Sequence, residues 1–105
     1  MELKHDYWTG QFEDIIESFI KSISQYSINH NGIKIGFTND PERQLKEHIE
    51  SNDGWKKMVV KYETHSENYI HTMEELLAHY HWEYVNNENR VANKTPPYYL
   101  YILIK

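Results

Sequence analysis

At 105 residues with a formal charge of −5, the chain is sized for a single domain, residues 1–105, and its 39% hydrophobic and 14% aromatic content is that of a globule rather than a disordered segment. It has no cysteine, which excludes disulfides, thiolate metal sites and a cysteine nucleophile. No apolar run approaches the roughly 20 residues needed to span a bilayer, and the start Met1-Glu2-Leu3-Lys4-His5-Asp6 is not that of a secretory signal. An intracellular protein without membrane association, cytoplasmic or nuclear, is therefore expected.

Residues 1–9 show no period and are expected to be poorly ordered, although Tyr7 and Trp8 can dock. From Gln11 the spacing turns helical. Phe12, Ile15, Ile16, Phe19, Ile20 and Ile23 form one apolar stripe, with Thr9 as N-cap and an end near Ser27. After the turn Asn29-His30-Asn31-Gly32, residues 33–37 alternate, with Ile33, Ile35 and Phe37 on one face and Lys34 and Gly36 on the other. Asp40 then caps a helix that begins at Pro41 and runs to about Ile49, with Leu45 and Ile49 inward. Ser51-Asn52-Asp53-Gly54 closes it, and Lys56 to Tyr62 reads as a second strand.

Thr64 to Ser66 offers caps for a third helix, whose core stripe is Tyr69, Ile70, Met73, Leu76, Leu77, Tyr80 and Tyr84. Asn86 to Pro97 is a polar loop, and residues 98–104 are a β run that needs neighbours. The order is α-β-α-β-α-β. It implies an α/β (α+β) domain: a small three-stranded sheet covered by three helices.

The chemistry concentrates where charge is least negative. Residues 32–62 hold six basic and five acidic side chains, whereas the flanking segments are acidic. An acidic total disfavours a long non-specific nucleic-acid footprint but leaves room for a small phosphate site. The strand–turn–helix from Gly32 to Arg43 supplies one: free N–H groups and the helix dipole favour an anion, Arg43 can fork onto phosphate oxygens, and Gly36 admits close approach. The bland alternative pairs Arg43 with Glu42, Glu47 or solvent.

The seven histidines invite a metal reading. His71, Glu75 and His79 lie along one side of the third helix, but the outer two stand about 12 Å apart by helix rise, too far for one ion. A solvated stripe is the simpler account. His48 and His65 are alternatives as general base. Trp82, opposite the core stripe, is a candidate partner contact unless other segments cover it.

The segment Lys34-Ile35-Gly36-Phe37-Thr38-Asn39-Asp40-Pro41-Glu42-Arg43 resembles the second motif and following helix of the GIY-YIG nuclease superfamily. Trp55 to Val60 and Tyr62 to Ser66 resemble the next strand and its exit in small phage and viral members. Met73-Glu74-Glu75-Leu76-Leu77-Ala78-His79-Tyr80, with Asn86-Asn87, resembles their glutamate-bearing helix and asparagine-rich loop. The likeness covers roughly residues 32–104 and rests on order and spacing.

Two departures are plain. Lys34 stands where the family often has tyrosine, and no Gly-Ile-Tyr strand precedes Ile33. Residues 98–103 have the look of that strand, so a circular permutation is expected, with residues 99–103 pairing with residues 33–37.

The resemblance implies endonuclease activity: metal-dependent phosphodiester hydrolysis of DNA. Glu74 would hold Mg²⁺ or Mn²⁺, Arg43 would neutralise a phosphate oxygen, and Tyr99, or Tyr101 on the same face, would orient or deprotonate the attacking water. Lys34 or the metal would supply the cation that such a tyrosine needs. Either tyrosine has core packing as its simpler role.

On the helical wheel Glu74 lies about 100° from the stripe centre, on its flank, and Glu75 about 160° away, facing water. Family spacing leaves Met73, Glu74 and Glu75 all open for the metal position. The alternative function is a catalytically inactive module of the same fold, binding protein or nucleic acid. Convergence of Arg43, Glu74 and a tyrosine hydroxyl in one cleft separates the two.

Overall fold

The structure, a computed structural model, describes residues 2–8, 11–29, 32–51, 54–80 and 95–105. Among these, seven elements form: β1 (Glu2–His5), α1 (Phe12–Asn29), β2 (Ile33–Thr38), α2 (Pro41–Ser51), β3 (Lys57–Thr64), α3 (Glu67–Tyr80) and β4 (Tyr98–Ile104). The expected Thr9 cap, Trp82, Tyr84 and most of the Asn86–Pro97 loop lie outside the described residues.

The four strands make one mixed sheet in the order β1-β3-β4-β2. β4 runs antiparallel to both β2 and β3, while β1 runs parallel to β3. The expected pairing of the C-terminal run with residues 33–37 is present: Ile35 faces Ile102, Gly36 faces Tyr101 and Thr38 faces Tyr99. The class is α+β with three helices among the described residues, as expected, but the sheet has a fourth strand.

That fourth strand gives residues 2–8, within the segment expected to be poorly ordered, a defined place. Four residues are too few to show a period, and the backbone supplies the order instead. The N–H groups of Glu2, Asp6 and Trp8 donate to the carbonyls of Lys56, Val60 and Lys61 at 3.1, 2.9 and 2.8 Å. Trp8 then packs edge-on against Phe19, 3.6 Å between ring centroids.

Alternation along β4 divides the interior into two layers. Tyr98, Leu100, Ile102 and Ile104 join Ile33, Ile35, Phe37, Val59 and Tyr62 beneath α1 and α3. The stripe of α1 enters this layer through Ile15, Phe19 and Ile23, and that of α3 through Ile70, Met73 and Leu77. Each such side chain, fully buried, contributes about 1.5–3 kcal/mol. Tyr99, Tyr101 and Leu103 point the other way and meet Met58, Val60, Leu3, Trp55 and Leu45 of α2. The sheet therefore stands between α2 on one side and α1 with α3 on the other.

Three stripe positions differ from expectation. Ile49, expected inward, is half-exposed, as are Tyr69 and Tyr80. In α2 the buried residues are Pro41, Gln44 and His48, an i, i+3, i+7 stripe that is largely polar. Tyr69 stacks on Phe12 at 4.2 Å, outside the main core.

One buried charge ties the first strand down. The Lys61 side chain is 4% exposed, and its ammonium bonds the solvent-accessible Asp6 carboxylate at 3.1 Å and lies 4.7 Å from the Trp8 ring centroid. The hydrogen bond and charge of Lys61 hold the Asp6 carboxyl below its usual range. A carboxyl lowered on folding favours the native state once it ionises. Its contribution is present above the ordinary value of 3.8 and vanishes as pH falls through the lowered one. Asp6→Asn therefore lowers stability at neutral pH, and the gap to the parent protein closes on acidification below pH 3.8 in denaturant titrations. A pH-independent gap refutes the linkage.

Candidate functional site

The turn from β2 into α2 is built by short polar side chains. The Asp40 N–H donates to Thr38 Oγ1 at 3.0 Å, and Asp40 Oδ1 accepts the Arg43 N–H at 3.2 Å, capping the helix as expected. The Gln44 N–H donates to the Asp40 carbonyl at 3.1 Å. The cap puts a carboxylate where an anion was expected to sit, so the start of α2 already has its negative charge.

Arg43 faces outward. Its Nη2 donates to Asn39 Oδ1 at 3.1 Å, and Asn39 Nδ2 donates to the Thr95 carbonyl at 3.2 Å. The arginine thus braces the loop before β4 while remaining exposed; of the partners expected for it (phosphate, Glu42, Glu47 or solvent), solvent is open to it, and Asn39 is added. The buried side chains of the first turn are Pro41 and the uncharged Gln44.

One turn further, His48 Nε2 lies 3.2 Å from Tyr101 Oη in a buried pair. The Tyr101 ring lies over Gly36, where any Cβ would overlap it. Gly36 was expected to admit a ligand or a backbone; it admits this ring. Tyr101 consequently has the packing role weighed for it.

Tyr99 shares this face of the sheet and donates from Oη to Glu63 Oε1 at 3.2 Å across the β3–β4 pair. Burial and the negative charge of Glu63 raise its pKa, with Tyr7 and Asp40 acting in the same direction. That is opposite to the need of a base. Nor is Lys34 its cation: Lys34 pairs with Leu103 while Tyr99 pairs with Thr38, four residues or about 13 Å along the strand. The expected activation of Tyr99 by Lys34 is not assembled.

Glu74 is on α3, whose inward residues contact the other layer. It is 2% exposed, and its Oε1 lies 3.3 Å from His71 Nδ1, while His71 Nε2 lies 3.4 Å from Glu67 Oε1. Two helices on opposite sides of a sheet have axes on the order of 20 Å apart. Arg43, Tyr99 and Tyr101 thus belong to the α2 side and Glu74 to the α3 side, so the expected single cleft does not form.

The surroundings of Glu74 differ from those that Mg²⁺ or Mn²⁺ ordinarily takes. Mg²⁺ keeps several waters and binds exposed oxygens, whereas Glu74 is enclosed beside an imidazole. Glu75 and His79 are exposed, and among the described residues no group of three or more His, Asp or Glu side chains fits a metal ion.

Sequence reasoning missed Gln44 and Glu63. The spacing Pro41, Gln44, His48 was a visible stripe, but its polarity hid it. Glu63 has no such signal, because its position opposite Tyr99 follows from the strand register. No family model, curated protein or solved structure matches this chain.

Proposed function

We propose that this chain is a GIY-YIG-like domain used for binding rather than for phosphodiester hydrolysis. The observation that carries the reading is the sheet standing between α2, with Arg43, and α3, with the buried Glu74. A reaction that needs a guanidinium and a carboxylate on one phosphate has neither group positioned for it. The acidic total and the carboxylate cap on α2 also weigh against nucleic acid as the principal partner, and favour a polypeptide.

The test is incubation of the purified chain with branched, single-stranded and duplex DNA in Mg²⁺ or Mn²⁺. No cleavage above a chelator control is expected. Cleavage abolished by both Arg43→Ala and Glu74→Gln, in variants whose circular dichroism matches the parent, overturns the reading.

One observation favours a second reading, hydrolysis on the α2 side: Glu63 is a carboxylate in contact with Tyr99 on the same face. Its signature is cleavage lost in Glu63→Gln and retained in Glu74→Gln.

A further inference from the structure

A cavity of about 350 Å³ opens between the end of the first strand and α1, lined by Tyr7, Trp8, Asp14, Ile15, Ser18 and Ser22. Its volume is at the lower end for ligand pockets, ~300–1,000 Å³. Asp14, Ser18 and Ser22 recur every four residues and so form one wall, about 12 Å long. Tyr7 and Trp8 provide aromatic surface and Ile15 an apolar floor. The charge of the lining is a single carboxylate.

The surroundings reinforce that sign. The first two turns of α1 carry Glu13, Asp14 and Glu17, and the next basic residue, Lys21, is already bridged to Glu17 at 3.3 Å. Beside the cavity the protein holds a cation of its own by the same chemistry, with Lys61 bonded to Asp6 and lying against Trp8. The cavity shares the Trp8 ring with that arrangement and adds groups of the same kind, the Tyr7 ring and the Asp14 carboxylate.

The cavity also adjoins a strand edge. β1 is at the border of the sheet, and the N–H groups of Glu2, Asp6 and Trp8 point to β3. By alternation those of Leu3 and His5 point away from it. An extended segment added there gains main-chain hydrogen bonds, and the cavity takes one of its side chains.

We infer that this cavity receives a lysine or arginine side chain of a partner polypeptide laid along the outer edge of β1, which is unpaired among the described residues. The inference rests on the binding reading for its purpose and deepens it by naming the partner's chemistry. The two fail separately, since DNA cleavage tests that reading and peptide titration tests the cavity.

The probe is an acetylated, amidated pentapeptide, Val-Thr-Arg-Thr-Val, titrated into the full chain and followed by amide chemical shifts. Shifts at residues 3–8 and 14–22 are expected. Replacing the peptide arginine by its neutral isostere citrulline weakens binding about fivefold. The solvent-facing change Asp14→Asn, which leaves the core intact, lowers affinity for the arginine peptide by a similar factor and abolishes the difference between the two peptides.

Equal binding of both peptides to the parent chain overturns the inference. So do shifts confined to the α2 side, no shifts at millimolar peptide, or displacement of the peptide by a single-stranded oligonucleotide.

Discussion

Gly36→Ala lowers the melting temperature by about 15 °C. Glycine in a strand interior ordinarily weakens it, and alanine would restore roughly 0.5–1 kcal/mol where the backbone permits. Here the sign reverses. The added Cβ would overlap the Tyr101 ring, which is fully buried and pinned at its hydroxyl by His48. Moving the ring overpacks the α2 layer, at about 1–3 kcal/mol, and breaks the His48 contact, at about 1 kcal/mol more. A total near 3 kcal/mol converts to that shift at about 5 °C per kcal/mol. Gly36→Ala combined with Tyr101→Leu recovers more than half of the loss, because the two sites share one volume. Scanning calorimetry of the three proteins decides it, and a single variant as stable as the parent refutes the packing.

Phe19→Ala is the larger blow to the opposite layer. Phe19 has no exposed surface and touches the Trp8 ring that holds the first strand. Truncating a buried phenylalanine costs about 4 kcal/mol through lost transfer energy and the cavity left behind. Against a total of roughly 5–15 kcal/mol, that removes a large share of stability, with a fall in melting temperature of about 20 °C. Phe19→Leu keeps most of the volume and loses under about 1.5 kcal/mol. Chemical denaturation with tryptophan emission as the readout gives both numbers. Equal losses in the two variants would mean that the site collapses around any smaller residue.

These residues also mark what could be read in advance. Helix α1 was legible because six apolar residues keep one period over three turns. β2 was legible through its alternation, and its pairing with β4 through the resemblance of each to a family strand. β1 was not, since Glu2–His5 is short, charged and held by main-chain bonds that leave no side-chain pattern. Ile49 was misread because apolar character was taken to point inward, whereas Tyr101 and its hydroxyl make the α2 interface hospitable to Gln44 and His48.

The placement of the candidate site's residues was not legible for a related reason. A helical wheel gives the angle of Glu74 about its own axis, and the flank it indicated adjoins the buried stripe. It carries no information about which side of a sheet the helix covers. That depends on the strand order and on where each connection crosses, which arise from pairings between segments distant in the chain.

β4 follows all the other elements in the chain, yet it is the strand to which both β2 and β3 are joined. A ribosome therefore releases β2 and β3 well before their common neighbour exists, with Ile33 waiting for Ile104 and Lys57 for the same residue. Until then the nascent polypeptide holds two apolar strands that cannot close on each other, a species open to aggregation and to capture by chaperones. Assembly of the sheet thus waits until β4 is available, and the time needed to make the stretch from β3 to β4 sets how long that exposure lasts.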